Sequence, residues 1–247
     1  PAATKALEAK YGLDKPMAER YFTYISDAAH GDFGDSLKQR GRTVMDIIAT
    51  KFPVSARLGG MAVVLALCVG VPLGVLAAYK RGTFIDSLFS VIATCGIAVP
   101  GFVICTLLLY VFGVKLQWLP TLGLKSAQSY IMPVVALAAY PTSYIMRLMR
   151  SSMLDVLGQD YMRTAKAKGL SQKVSLFKHA LRNAILPVIT YVGPMLAYTL
   201  TGSFVTEKIF TIPGLGGEFI KAINGRDYTM IMGTTISLAT IMIVMNV

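Results

Sequence analysis

Five long stretches without a charged residue constrain the fold of this chain more than any other feature. They cover residues 58–79, 88–112, 131–146, 185–205 and 230–247. About 20 apolar residues let a helix cross the ~30 Å hydrocarbon core of a membrane. Only 15% of the residues are charged and the mean hydropathy is +0.58, whereas soluble domains carry about 25% charged residues. The sequence therefore predicts an all-α, polytopic bundle of membrane-spanning helices with five visible spans.

The charges between these stretches predict how the spans are oriented. Residues 80–86 and 147–182 hold ten basic and three acidic residues, whereas the remaining polar segments hold fourteen basic and ten acidic residues. Cytoplasmic loops carry the excess of Lys and Arg, so we place loops 80–87 and 147–184 in the cytoplasm. Segments 1–57, 113–129 and 206–228 are then outside. This topology explains the net charge of +11 without a nucleic-acid partner, and a further span expected before Pro1 would make six.

The chain divides into two predicted domains. Residues 1–57 form a small extracytoplasmic cap, in which segments 4–10 and 15–29 are expected to be helical. Residues 42–51 carry apolar side chains at helical spacing on one face, which predicts an amphipathic helix at the membrane interface. Pro53 is expected to begin a new helix, and residues 58–247 form the transmembrane domain.

Proline and glycine residues interrupt the predicted spans. An interior proline removes a helical hydrogen bond, although in a membrane neighbouring helices can satisfy the freed carbonyl. We expect helix hinges at Pro72, Pro100, Gly101, Pro141 and Pro194. Small residues should allow close helix contacts at Gly59, Gly60, Gly70, Gly74, Gly96, Gly193 and Gly202. The alternative is the ordinary enrichment of Gly and Pro in membrane helices.

The basic loop 147–184 has local signals for two helices joined by a tight turn. Asp160 can cap a helix that begins at Tyr161, since its carboxylate can accept the free amides of the first turn. Gly169 stands where a glycine commonly ends a helix. Ser171 can cap a second helix that leads back to the membrane.

This loop allows three interpretations. It could serve only to set the topology, or it could be a helix-turn-helix for DNA, although two short helices lack a core of their own. The third interpretation is a docking site for a cytoplasmic partner. It is favoured because Tyr161, Met162, Ala165 and Leu170 are expected to form one apolar surface, beside which Ala167 lets another backbone approach.

The same loop resembles a known motif. Residues 163–170, Arg163-Thr-Ala-Lys-Ala-Lys-Gly169-Leu, are similar to the cytoplasmic EAA loop of ABC importer permeases, in the form of the peptide/nickel family. By spacing, the Glu-Ala-Ala of the general motif falls on Arg163, Thr164 and Ala165, and its Gly on Gly169. The Glu is absent here, so no role is carried over for it.

Other segments, in order and at the expected spacing, extend the resemblance to the oligopeptide and dipeptide permease B subunits of that family. They are Tyr11-Gly-Leu-Asp-Lys-Pro16, Gly31-Asp-Phe-Gly-Asp-Ser36, His179-Ala-Leu-Arg-Asn-Ala184, Ile212-Pro-Gly-Leu-Gly216 and Arg226-Asp-Tyr228. Each segment alone is a weak signal, but the ordered set is specific.

The resemblance implies a permease subunit in a bacterial cell membrane that imports oligopeptides or dipeptides. It implies four partners: a second permease subunit, two cytoplasmic ATPase subunits that bind ATP and Mg²⁺, and an extracytoplasmic peptide-binding protein. This chain has no phosphate-binding G-x-x-x-x-G-K-[ST] segment, so we expect no ATP hydrolysis and no cofactor in it. The coupling loop would comprise Asp160, Tyr161, Met162, Arg163, Thr164, Ala165, Ala167, Gly169 and Leu170.

Two alternatives remain at the level of sequence. The same transporter type could carry nickel, glutathione or another small solute. A channel or secondary carrier would work without ATP, but the spans have no charged residue at their centres, which disfavours a proton-driven carrier.

Overall fold

The computed structural model describes residues 15–171, 174–201 and 204–246. In this part of the chain the regular structure is helical, as predicted, and β-pairing is limited to one isolated bridge. The predicted helix over residues 4–10 lies outside the described residues. The α-helices are α1 (Met17–Ala29), α2 (Val44–Tyr79), α3 (Phe84–Ala98), α4 (Gly101–Leu108), α5 (Ile131–Leu157), α6 (Asp160–Ala167), α7 (Leu181–Ala184), α8 (Leu186–Thr201), α9 (Phe204–Ile209), α10 (Leu215–Gly225) and α11 (Tyr228–Asn246).

The helices account for the predicted spans and make this a multi-pass membrane protein. Within the residues that the structure describes, four segments are long and apolar enough to cross a membrane, namely Val44–Tyr79, Ala127–Leu157, Leu186–Ile209 and Tyr228–Asn246. A fifth crossing results if α3 and the segment Gly101–Lys115, in which α4 continues as a π-helix, count as one bent span. Each predicted span thus corresponds to one of these five.

Helix α2 is longer than predicted because it joins the expected interfacial helix to the first span. It runs without a break through Pro53 and Pro72. The Thr43 hydroxyl caps its N-terminus by accepting the Asp46 amide at 3.1 Å. The prediction that Pro53 begins a new helix is therefore wrong.

The apolar side chains in the first turns of α2 are covered by protein and not by the membrane surface. Val44, Ile47 and Ile48 are all buried. They pack against residues from distant parts of the same chain, including Phe33, Leu215 and Met230. The predicted interfacial helix is thus corrected to a helix end that anchors the cap to the bundle.

The second predicted span is broken and not continuous. Helix α3 and the segment Gly101–Lys115 meet at an angle of 102°. Pro100 has no amide proton and disfavours helical backbone at the residue before it. Accordingly, Val99 is extended, with φ −78° and ψ 123°. The bend brings α4 against α5 and α9.

Helix α5 lies at the centre of the bundle, in contact with α2, α3, α4 and α8. Its most extensive contact is with α2, where two glycines one turn apart face it. A Cβ on Gly70 would lie 2.9 Å from the Thr142 carbonyl oxygen, and one on Gly74 would lie 2.6 Å from that of Met146. The two backbones can approach this closely only because these positions lack side chains.

Four more of the predicted contact glycines can be assessed. Gly59, Gly96 and Gly193 each face another helix so closely that an added Cβ would meet it, whereas a Cβ added at Gly60 would meet no neighbouring atom within 4 Å. Gly202 lies outside the described residues. The prediction of close contacts is thus confirmed at Gly59, Gly70, Gly74, Gly96 and Gly193, and wrong at Gly60.

Helix α5 does not end at the membrane. The third span was predicted to stop before Arg147, but α5 continues to Leu157. Met149 and Met153 in this extension are fully buried. Apolar side chains beyond the charged boundary are thus covered by the inner loop, which lets the helix project past the expected end of the span.

Contacts between the loops agree with the predicted sides of the membrane. On the inner side, Asp86 pairs with Arg150. On the outer side, the Gly123 amide donates to the Phe210 carbonyl at 2.8 Å, and Ser36 donates to Asp227. Each of these contacts joins two segments that the charge distribution assigned to the same side.

Candidate functional site

The inner loop has the predicted helix–turn–helix shape. Helix α6 starts at Asp160, one residue earlier than expected. Gly169 has φ +76°, and the Leu170 amide donates to the Ala165 carbonyl at 3.3 Å. This is the hydrogen bond of a glycine-terminated helix end, so the predicted turn at Gly169 is confirmed.

The second arm of the loop begins at the predicted cap. The Ser171 hydroxyl accepts the Val174 amide at 3.4 Å. From Val174 onward the arm is described, and it consists of a π-helical turn over Ser175–Ala180 followed by α7. The expected second helix is therefore present with wider winding in its first half.

Met162 anchors α6 to the bundle. Its side chain is fully buried, in a cluster with Met149 and Met153 of α5 and Leu176 and Ala180 of the second arm. The prediction that Met162 belongs to an exposed apolar surface is wrong. The helix turns this side chain toward its own chain because α5 extends far enough to cover it.

Tyr161 makes a second connection across the turn. Its hydroxyl accepts a hydrogen bond of 2.9 Å from the side-chain amide of Asn183 in α7. The ring remains 43% exposed. Together with Met162, this bond fixes α6 relative to the second arm, so the two arms form one unit.

The outward surface of the loop consists of the remaining predicted residues. Arg163, at the position of the motif's Glu, has a side chain that is 79% exposed and lies 3.6 Å from the Asp160 carboxylate. An exposed pair of this kind contributes little stability, so its charges remain available to a partner. The other members of this surface are Tyr161, Thr164, Ala165, Ala167, Gly169 and Leu170, of which Ala165 is half-buried.

A paired acid and base connect α3 to α5 on the inner side. Arg150 donates to both Asp86 oxygens, from Nε at 2.6 Å and from Nη2 at 2.8 Å. The Gly82 amide adds a bond of 3.0 Å to the same carboxylate. Bidentate arginine–carboxylate pairs of this kind are among the strong charge-assisted hydrogen bonds. This pair ties the first cytoplasmic loop to the base of the second.

In the described part of the outer side, three buried carboxylates connect segments that are distant in the sequence. Glu207 in α9 is 1% exposed. It accepts the Ser55 hydroxyl at 2.6 Å and the Gly217 amide at 3.1 Å. A Cβ on Gly214 would lie 2.5 Å from its carboxyl carbon. The glycines of the 212–216 signature therefore let the chain wrap around Glu207.

Asp227 joins the cap to the last helix. Its carboxylate accepts hydrogen bonds from the Ser36 hydroxyl, from the Leu37 amide at 3.1 Å and from the Met230 amide at 3.2 Å. Burial alone would raise the pKa of Asp227, but these hydrogen bonds outweigh it and lower the pKa below its usual value. Two of the signature segments, 31–36 and 226–228, thus meet at this carboxylate.

Glu218 on α10 is the third buried acid. Its carboxylate accepts hydrogen bonds from Lys221 Nζ at 2.9 Å and from the Gln39 side-chain amide at 3.1 Å. Lys51 Nζ lies 3.8 Å away. Burial raises the pKa of Glu218, but the lysines and Gln39 reverse this and lower it overall. The cap, α2 and α10 therefore meet around this side chain.

The predicted hinge residues occupy two kinds of position. Pro100 and Gly101 lie at the 102° bend. The other three lie inside helices that continue through them: Pro72 in α2, Pro141 in α5 and Pro194 in α8. Movement at any of them remains a prediction.

The sequence predicted no role for Asp86, Glu207, Glu218 or Asp227. A signal existed for Glu207 and Asp227, because both stand in or near the signature segments. Their partners lie 152 and 191 residues away in the chain, and one sequence does not show which distant serine meets which acid.

The bundle and its partly buried inner loop define a multi-pass membrane subunit of the transporter-permease type. Its fold is similar to that of the methionine ABC transporter MetNI solved in inward-facing conformations, with a TM-score of 0.63 and 18% identity over 82% of this chain and 94% of that one. A crystal structure of an amino acid ABC transporter has a TM-score of 0.61 and 15% identity, over 81% and 89% of the two chains.

Sequence comparison identifies the family. Residues 70–247 match the family of binding-protein-dependent transport system inner membrane components, and the chain belongs to it. The dipeptide transport system permease protein DppB of Bacillus subtilis is 48% identical over 99% of this chain and 79% of its own length. The oligopeptide transport system permease protein OppB of Salmonella typhimurium is 42% identical over 96% and 78%.

Proposed function

We propose that this chain is a permease subunit of an ATP-driven importer of dipeptides or oligopeptides in a bacterial inner membrane. The observation that carries the proposal is the near-complete match to relatives named as dipeptide and oligopeptide permeases, at 48% and 42% identity. The match includes the outer segments around Asp227 and Glu207, as well as the inner loop.

In this proposal the chain works with four partners. A second permease subunit completes the pathway, two cytoplasmic ATPase subunits bind ATP and Mg²⁺, and an extracytoplasmic binding protein delivers the peptide to the cap. The family description, which names binding-protein-dependent transport, supports the last of these. The chain itself performs no hydrolysis.

The exposed surface of α6 is the proposed contact with one ATPase. Movement of that ATPase would displace α6, and the rigid connections through Met162 and Tyr161 would pass the displacement to α5 and the second arm. Since α5 contacts α2, α3, α4 and α8, a small shift at the loop would rearrange the bundle between inward-facing and outward-facing states.

A two-stage experiment tests this function. The full-length protein is isolated from native membranes under mild conditions, and the accompanying chains are identified by mass spectrometry. We expect a second permease and ATPase subunits with phosphate-binding loops. The complex is then placed in proteoliposomes with its binding protein, where ATP should drive the accumulation of a labelled tripeptide.

Two results would contradict the proposal. One is transport by this chain alone, without ATP, which would favour a channel or a secondary carrier. The other is an assembled complex that accumulates nickel or glutathione but not peptides, which would keep the transporter type and change the substrate.

A further inference from the structure

From its middle onward, helix α5 exposes one face. The exposed residues of α5 after Val135 are spaced three or four apart, which places them on the same side of a helix. They are Tyr140, Tyr144, Arg147, Ser151 and Asp155, and we call them the α5 stripe. The stripe changes from tyrosine within the span to charged residues toward the cytoplasm.

The two tyrosines of the stripe join a third from α8 in a row of rings. The ring centres of Tyr140 and Tyr144 are 6.4 Å apart with nearly parallel planes, and those of Tyr144 and Tyr191 are 4.4 Å apart. Tyr198 lies about two turns beyond Tyr191 on the same side of α8 and is 59% exposed. A continuous aromatic surface therefore crosses from α5 to α8.

This surface is unsuited to contact with lipid tails. Tyr144 lies about 20 Å along α5 from its outer end, within a hydrocarbon core of about 30 Å. Tyrosine in membrane proteins is enriched at the interface, where its hydroxyl reaches water. Here the hydroxyls of Tyr140, Tyr144 and Tyr191 make no hydrogen bond to another residue in the described part of the chain. Facing lipid, they would be left unpaired at high cost.

We propose that Tyr140, Tyr144 and Tyr191 line the translocation path and contact the peptide as it passes. The proposal rests on the peptide-import function above. Tyrosine rings offer apolar surface to varied side chains, and their hydroxyls can both donate to carbonyl groups and accept from amides of a peptide backbone. The three rings carry no charge, so they do not select for one charged side chain. This combination suits a substrate whose backbone is constant and whose side chains vary.

The test uses the complete transporter with its binding protein in proteoliposomes and follows uptake of tritiated trialanine. Tyr144→Ala removes ring and hydroxyl and should lower uptake roughly tenfold, whereas Tyr144→Phe keeps the ring and should lower it by only a fewfold. Tyr110→Phe is the matched control, since Tyr110 is 58% exposed but lies on the π-helical extension of α4. It should leave uptake unchanged.

A crosslinking measurement identifies what lies against the rings. Tyr144 is replaced by photoreactive p-benzoylphenylalanine, and the complex is irradiated during turnover with tritiated trialanine. Labelled peptide attached at this position supports the proposal. Attachment only to the second permease or only to lipid overturns it, as does normal uptake by Tyr144→Ala in a correctly assembled complex. If the unaltered transporter takes up no peptide, the result contradicts the proposed import function itself and not only the proposed contact with the tyrosines.

Discussion

At the scale of single residues, Asp227 shows how an acid can hold two distant segments together. Because its pKa is lower in the fold than the ~3.9 of an unfolded Asp, its carboxylate stabilises the fold above about pH 4. That contribution is lost as the pH falls through the lowered pKa. Acid should therefore loosen the cap from α11.

We predict that Asp227→Asn destabilises the protein by about 1–3 kcal/mol at neutral pH, because it removes a charged acceptor from buried donors. The difference from the unaltered protein should shrink when the pH is lowered below about 4. Thermal unfolding in detergent measures both effects. Asp27→Asn is the control, since Asp27 is exposed on α1 and should show neither. An Asp227→Asn defect of equal size at every pH would contradict this account.

A second residue-scale prediction concerns Gly169. A Cβ there would meet no atom within 4 Å, so the constraint is the backbone angle of φ +76° and not space. Valine at this angle costs about 1–2 kcal/mol, which should unwind the turn and displace α6. We expect Gly169→Val to leave the protein in the membrane but abolish ATP-dependent peptide uptake.

Gly158→Ala provides the comparison for Gly169→Val. Gly158 also ends a helix of the inner loop, but at φ −80°, which alanine adopts freely. Its uptake should be normal. Normal uptake by Gly169→Val as well would remove the basis for a coupling role of this loop.

At the scale of helices, the contact between α2 and α5 depends on glycine at positions 70 and 74. A Cβ on Gly74 would lie 2.6 Å from the Met146 carbonyl oxygen and 2.7 Å from the Met149 Cβ. Both neighbours belong to the body of α5 and cannot move without shifting the helix. These two helices can therefore pack together only if their backbones approach closely at Gly74.

We therefore predict that Gly74→Val lowers the stability of the detergent-solubilised protein by roughly 1–3 kcal/mol, the usual cost of overpacking. Gly60→Val is the control on the same helix, because a Cβ at Gly60 would meet no neighbouring atom within 4 Å. It should have almost no effect. The midpoints of denaturant unfolding give the comparison. Equal midpoints for the two variants would show that α2 and α5 do not need to approach this closely.

At the scale of the whole molecule, the cap has two parts with different roles. None of the thirteen residues of α1, all of them described, is buried. Three of its exposed apolar side chains, Met17, Tyr21 and Ile25, lie along one side, and Phe22 beside them is exposed as well. By contrast, Phe33 and Ser36 are buried against the bundle. The first part, α1, is therefore suited to binding a partner. The second part, around Phe33 and Ser36, is suited to stabilising the fold.

Deletion of residues 1–29 should accordingly weaken docking of the extracytoplasmic binding protein at least tenfold while leaving the unfolding temperature unchanged, since exposed apolar patches mark interaction sites. Docking is measured with purified binding protein on proteoliposomes. Deletion of residues 1–36 is the contrasting variant and should also lower the unfolding temperature. Undiminished docking after the shorter deletion would assign the binding protein to another surface.

Whole-molecule features that depend on local composition were predictable. Hydropathy located the five spans and charge placed the loops, because both quantities act over about 20 neighbouring residues. The glycine turn at Gly169 was predictable for the same reason, since a helix end is decided by a few adjacent backbone groups. The family resemblance added the partners, which remain proposals.

The tertiary structure decided what depends on distant residues. It paired Asp227 with Ser36 across 191 residues, covered Met162 with an extension of α5, and turned the predicted interfacial helix into the start of α2. It also brought Tyr144 and Tyr191 together from two helices. Periodicity shows which side of a helix is apolar, but whether lipid, a partner or the same chain covers that side depends on how the other helices pack. That packing is a property of the whole bundle, which no single segment of the sequence contains.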